Sequence, residues 1–262
     1  MDIGLEFVLA YIDVFLLTLV RVTAIFILSP IFGSRNLPHI FKMSLALIIA
    51  LIIAPMIGPE TQIEYNGWLQ YASVIFIEFL VGLILGFVCY MAFLSLYLAG
   101  QIIDMQVGFG MVNVIDPQSN MQVPVVANLY NIIALLMLFS INGHHMIISS
   151  LFYSYKILPI GTAVITEVLV VDVVRMFGEM FSIAFKITAP IIAAIFITNV
   201  ALGILAKTVP QMNVFMVGMP LKIIIGLLTL ILVIPMFSVV MDNIVNGMFH
   251  DIGTVLKDMI RR

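Results

Sequence analysis

The chain alternates long apolar blocks with short polar breaks. The first block, Phe7 to Ser29, is long enough to span a bilayer, which takes about 20 residues, and Pro30 and Gly33 end it. The second, Met43 to Met56, is short and closes near Pro55, so it either crosses at a thin point or turns back. Tyr71 to Ala99 is the longest uninterrupted run. As one helix it would extend about 44 Å against a hydrocarbon core of about 30 Å, and must tilt, bend or project. Val125 to Ile141 and Met146 to Leu158, separated by Asn142-Gly143-His144-His145, predict a helical hairpin closed by Pro159 and Gly161. Thr162 to Arg175 is amphipathic, and Glu179 to Leu205 predicts an apolar helix that Pro190 should kink. Ala206 to Gly218 is a polar break, and Met219 to Val240 is apolar again. In Met241 to Arg262, apolar residues from Ile244 to Ile260 recur at helical spacing, which predicts an amphipathic helix lying at an interface or docking a partner helix. The pattern is that of an all-α membrane protein of kinked helices.

One stretch fits neither a span nor a solvated loop. Gly100 to Pro124 reads GQIIDMQVGFGMVNVIDPQSNMQVP, too polar and glycine-rich for the first and too apolar for the second. Gly108 and Gly110 flank Phe109, with Met105, Met111 and Met121 around it. Glycine permits backbone conformations closed to other residues, and methionine packs adaptably. Two readings stand open: a re-entrant connector that only packs, which local sequence favours, and a segment that blocks or lines a passage.

Composition agrees with membrane residence: 63% of the 262 residues are hydrophobic and 10% charged, against about 25% charged in soluble domains. A net charge of −3, spread along the chain, argues against a nucleic-acid partner. Cys89 is the single cysteine, so neither an internal disulfide nor a cysteine-based metal site is expected. Asp2 and Glu6 stand where a signal peptide would be basic, so targeting is expected from the first apolar block. No phosphate-cradling loop, nucleophile elbow or zinc motif occurs, and no catalytic, cofactor or metal residues are expected. His144 and His145 suit the start of a helix better than a metal, because no ligand set completes them nearby.

Intramembrane charges are costly and need partners. Asp13 and Arg21 are eight residues apart in the first block and cannot pair with each other within one helix. Glu78, Gly82 and Gly86 recur every four residues and share one helix face. The glycine pair lets a second backbone approach closely, so Glu78 is expected to face protein, as a structural carboxyl or, less favoured, an ion site. Arg21, Glu78, Lys186 and Lys222 are of both signs, which suits buried interhelical pairing better than an acidic proton relay. Lys186, Pro190, Ala193 and Ala201 fall on one side of their helix as a small-residue interface. Topology does not close: Arg35 with Lys42, Lys207, and Arg261 with Arg262 all prefer the cytoplasm, yet only one clear apolar block separates Lys207 from the C-terminus. Either a segment enters and returns, or the helices belong to an assembly that is not a simple bundle of spans.

Several of these stretches resemble the FliR family, the R subunits of the bacterial flagellar type III export gate. They are AGQIIDMQVGFGMVNVIDP, the NGHH element with the later Pro159 to Gly161, RVTAIFILSPIFGSRNLP and, most specific, VPQMNVFMVGMPLK, which carries Pro210, Gln211, Asn213, Phe215, Gly218, Pro220 and Lys222. The resemblance covers nearly the whole chain in the same order. It implies one domain over 1–262, a non-enzymatic subunit packed with P-, Q- and B-type membrane subunits in a helical export channel. It further implies residence in the bacterial inner membrane at the flagellar basal body, and passage of unfolded flagellar proteins. Related virulence type III systems share the architecture; closeness favours the flagellar branch. The family's plug loop maps onto about Gly108 to Asp116, with Gly108, Phe109, Gly110, Met111 and Val112 as candidate gate residues, and its B-type contact onto the C-terminal helix. A small-solute secondary transporter with helices broken at Pro190 and Pro210 is the competing class.

Overall fold

The computed structural model describes residues 2–34, 37–58, 67–111 and 124–260, and the side chains from Tyr11 onward except that of Met111. Arg35, Glu60, Glu64, Val112, Asp116, Met121, Arg261 and Arg262 lie outside the described residues. The helices are α1 (Asp2–Leu28), α2 (His39–Ile57), α3 (Trp68–Val107), α4 (Val125–Ser140), α5 (Gly143–Ile157), α6 (Glu167–Thr208), α7 (Val214–Val233) and α8 (Phe237–Asp258), with short 3₁₀ turns at Phe109–Met111 and Ile234–Met236. Among the described residues there is no strand, only an antiparallel bridge between Ala163 and Ile260. Five helical stretches are long and apolar enough to cross a membrane, or six if α4 and α5 form one broken span.

Three predicted boundaries move, two because apolar character outlasts a polar residue and one because of a cap. Helix α3 has 40 residues and runs on through Gly100 and Asp104 to Val107, so the first third of the anomalous stretch is helix. From Glu167 the amphipathic 162–175 piece joins the following apolar block in α6, a helix of 42 residues that continues through Pro190. The break after it shrinks to 209–213, because Asn213 starts α7 by accepting the backbone N–H of Met216 at 3.3 Å, as an N-cap residue does. At about 1.5 Å per residue α3 and α6 each exceed 55 Å, roughly twice the hydrocarbon core.

The chain forms two compact units: one from Met1–Met91, Ile141–Met176 and Val245–Arg262, the other from Ala92–Ser140 and Phe177–Ile244. In the first, α1 lies directly on the glycine face of α3. A Cβ on Gly82 would collide with the Arg21 carbonyl and the Ala24 side chain, and one on Gly86 with Ile25 and Leu28. These contacts advance in the same direction along both helices, so α1 and the start of α3 run parallel. In the second unit the same device recurs: a Cβ on Gly100 would land on the Ala127 backbone of α4, and one on Gly226 of α7 on the Val107 side chain. Tyr130 of α4 and Phe237 of α8 pack in the core with their rings tilted at 44° and 5.0 Å between centroids.

The C-terminal helix, α8, packs on its own chain. Its apolar face is Met241, Ile244, Val245, Met248, Ile252, Val255, Leu256 and Met259, all buried within the chain. Its end is pinned by Thr166, whose hydroxyl donates to the Asp258 carbonyl at 2.8 Å, and by the Val164 N–H, which donates to the Met259 carbonyl at 3.0 Å. Amphipathicity here serves the chain's own core.

Candidate functional site

Two constellations support the middle of the chain, both on α3. At its start, Glu78 meets Arg21 of α1, both side chains fully buried. The Arg21 Nε donates to Glu78 Oε2 at 2.6 Å and Nη2 donates to Oε1 at 3.0 Å, a bidentate pair. The remaining donors are placed as well. Nη1 reaches Ser154 Oγ and the Leu158 carbonyl, each at 3.2 Å, and Nη2 reaches the same carbonyl at 3.3 Å. Glu78 Oε1 accepts the Gly161 N–H at 2.9 Å. The guanidinium lies 4.0 Å from the Tyr155 ring centroid, a cation–π contact, and the Tyr155 hydroxyl donates to the Thr18 carbonyl at 3.4 Å. Desolvating two charges costs several kcal/mol per ion unless every donor and acceptor is met, and this network meets them from three helices and the 158–161 turn. The second charge on α1, Asp13, is hydrogen-bonded by Tyr71 of α3.

At the other end of α3 stands the gate candidate. The helix stops where Gly108 takes φ +99°, a conformation that strains a residue bearing Cβ. Phe109 follows in a 3₁₀ turn, half-buried, and Gly110 is exposed. One turn before the stop, Asp104 is 5% exposed and its carboxylate reaches α4: Oδ1 accepts the Val126 N–H at 2.9 Å and Oδ2 the Ala127 N–H at 3.2 Å.

The remaining predicted residues divide. Gly82 and Gly86 sit at the α1 contact, and Gly218 is buried against Leu202. Lys186 and Lys222 are not buried by this chain: Lys186 is exposed, Lys222 half-buried, and neither joins an ion pair among the described residues. Pro190, Ala193 and Ala201 are exposed with Lys186. Pro210, Gln211, Phe215 and Pro220 are also exposed, around the Asn213 cap. His144 and His145 open α5 with their rings 4.2 Å apart.

Sequence reasoning passed over Asp104, Ser154, Tyr155 and the Leu158 carbonyl. Asp104 had a signal. A carboxylate in the last turn of a helix opposes the helix dipole, and α4 opens after Pro124, whose side chain has no acceptor for the first N–H groups.

A family model described as "Bacterial export proteins, family 1" matches residues 12–248. The chain is 37% identical over 233 residues to the flagellar biosynthetic protein FliR of Bacillus subtilis, covering 88% of this chain and 89% of that one. It is 26% identical over 251 residues to FliR of Escherichia coli, covering 96% and 95%, and 29% identical to FliR of Aquifex aeolicus, covering 87% and 88%.

Proposed function

The chain belongs to family 1 of the bacterial export proteins, that of the flagellar biosynthetic protein FliR, and on that footing we propose that it is a non-enzymatic subunit of the flagellar protein-export gate. It works in the bacterial inner membrane at the flagellar basal body. The observation that carries this reading is the family match over nearly the whole chain. The exposed apolar surface supports it. Only 22% of the most apolar part of α6 is buried, and 17% of that of the stretch from α7 through α8. A finished helical bundle would bury more, so these faces await other membrane subunits, of the P-, Q- and B-types, as well as lipid.

In this reading the segment from Gly108 onward seals the passage for unfolded flagellar proteins. An apolar constriction excludes ions because it cannot replace their hydration, and a glycine-hinged segment can move aside for a substrate. Gly108 supplies the hinge; Phe109 and Met111, with Val112 beyond the described residues, supply the seal. Replacing Phe109 and Met111 together by Ala is expected to raise resting ion leak several-fold in cells carrying the assembled apparatus, with motility reduced. Leak at the wild-type level in an assembled gate would overturn the plug assignment.

A further inference from the structure

Helices α1 and α2 leave an apolar groove between them. Its volume is about 350 Å³, within the range of ligand pockets, about 300–1,000 Å³. Phe26 and Ile27 of α1 and Met43 and Ala46 of α2 line it, together with His39 and Lys42 from the first turn of α2. One wall is already fixed: the Phe26 ring stacks on Phe32, with centroids 4.3 Å apart and planes 16° from parallel. The turn that follows α1 is tight, since a Cβ on Gly33 would meet the Ser29 and Ile27 carbonyls. The polar groups left to the groove are basic. Thr23 of α1 spends its hydroxyl on the Leu19 and Val20 carbonyls of its own helix, at 2.8 and 2.9 Å. No carboxylate lines the groove, and neither His39 nor Lys42 joins an ion pair among the described residues.

The spacing along α2 separates charge from apolar surface. His39, Lys42, Met43 and Ala46 recur at three- and four-residue intervals and share one face. The two basic residues come first, and the apolar ones follow toward the middle of the helix. Helix α2 has 19 residues, about 28 Å at 1.5 Å per residue, which matches a hydrocarbon core of about 30 Å. As a span it carries His39 and Lys42 at headgroup depth and Ala46 among acyl chains. Its outer residues Ile48, Leu51 and Ile52 are exposed, as a lipid-facing surface is. Lys42 is one of the cations that the positive-inside rule places on the cytoplasmic side, where basic pockets between membrane helices bind anionic headgroups.

We propose that the α1–α2 groove binds one anionic phospholipid, its headgroup phosphate at Lys42 and His39 and an acyl chain along Phe26, Met43 and Ala46. A neighbouring apolar helix fits the groove less well, because it would leave both basic groups without a counter-charge. The site requires a chain placed in a membrane and does not depend on a role in protein export.

The test reconstitutes the full chain in phosphatidylcholine nanodiscs with a trace of phosphatidylglycerol or phosphatidylcholine carrying a photoactivatable acyl chain. Labelled peptides are then mapped by mass spectrometry. Phosphatidylglycerol should label α1 and α2 at the groove about five- to tenfold more than phosphatidylcholine. Lys42→Gln should cut that preference about fivefold, His39→Gln should cut it less, and Lys42→Arg should keep it. Ile27→Trp, which fills the groove from an exposed position, should abolish labelling there by both lipids and leave it elsewhere. Equal labelling by the two lipids, or an unchanged preference in Lys42→Gln, would reduce the groove to an unselective apolar surface and overturn the proposal. Loss of the groove label in the hetero-oligomer extracted in mild detergent would overturn it too, by giving the groove to a protein partner. Should Lys42→Gln not accumulate, Ile27→Trp decides alone: label retained at the groove in that variant refutes the site.

Discussion

Helix α3 carries a buried carboxylate in each compact unit, and the two are satisfied in opposite ways. Glu78 faces a full cation and shares it with Ser154, a carbonyl, a turn N–H and an aromatic ring. Asp104 faces no cation among the described residues and takes two backbone N–H groups instead. Each stands four residues from a glycine that admits the neighbouring helix: Gly82 for Glu78, Gly100 for Asp104. The shared device is close backbone approach delivering a carboxylate; the difference lies in what the carboxylate holds. A buried ion pair fixes two specific side chains and fails abruptly when one is lost. A cap fixes only where a helix begins, and its loss is graded. The first locks side chains of three helices together, and the second sets only where α4 begins.

The contrast is broken most severely at Arg21. Arg21→Ala leaves the Glu78 carboxylate buried with the Gly161 N–H as its remaining partner, at a cost of about 3–5 kcal/mol. The chain should then fail to accumulate in membranes, as read by immunoblot. Replacing both partners by apolar residues, Arg21→Met with Glu78→Leu, removes the uncompensated charge but still strands the Leu158 carbonyl and the Gly161 N–H, while Ser154 keeps its hydrogen bond to the Leu151 carbonyl. With each unmet buried group costing about 1–3 kcal/mol, the double variant should accumulate better than either single one and less than wild type. A double variant no better than Arg21→Ala would show that the turn contacts, not the charge pair, hold this unit.

Next comes the glycine device. Gly82→Val and Gly100→Val each force a side chain into backbone of the facing helix, and overpacking of this kind costs about 1–3 kcal/mol. Both should lower the thermal midpoint of the detergent-purified protein. Only Gly100→Val, by pushing α4 off Asp104, should also speed amide exchange at Val126 and Ala127; equal exchange from both would erase the distinction between the ion pair and the cap.

What could be read from sequence follows the same division. The Glu78, Gly82 and Gly86 face was legible because three residues at a four-residue interval declare a surface, and a buried charge demands a partner. Asp104 was legible only as an oddly placed carboxylate in a last helical turn, because its partners are main-chain N–H groups of a helix more than twenty residues on, and backbone donors leave no mark in residue identity. Helix ends at 107 and 208 were misplaced for a related reason: Asp104 and Lys207 look like solvated breaks until their surroundings are known. The C-terminal amphipathic face was legible as a face, but sequence cannot say whether a chain covers such a face itself, and this one does.

Within the gate stretch the two glycines should separate. Gly108 has φ +99°, so Gly108→Ala carries a backbone cost of about 1–2 kcal/mol. Gly110 is exposed, with nothing within 4 Å of where a Cβ would stand. Gly110→Ala should change stability by no more than about 0.5 kcal/mol. Thermal midpoints that fall for the first and hold for the second would place the hinge at Gly108 alone.

The smallest effect on the chain, and the most telling, belongs to Lys186. It is exposed on a half of α6 whose large apolar residues Phe181, Phe185, Phe196 and Ile197 are exposed with it. A cation on a surface that apolar is costly in lipid and contributes nothing to the isolated chain, so its value lies in what covers it. Lys186→Ala should leave the midpoint of the purified chain within about 0.5 kcal/mol of wild type, yet lower the fraction recovered in the hetero-oligomer on mild-detergent extraction. Lys186→Arg, which keeps the charge, should restore it. If Ala and Arg assemble alike, the face meets lipid or an apolar neighbour, and the charge pairing that Arg21 and Glu78 achieve inside the chain is not repeated between chains at Lys186.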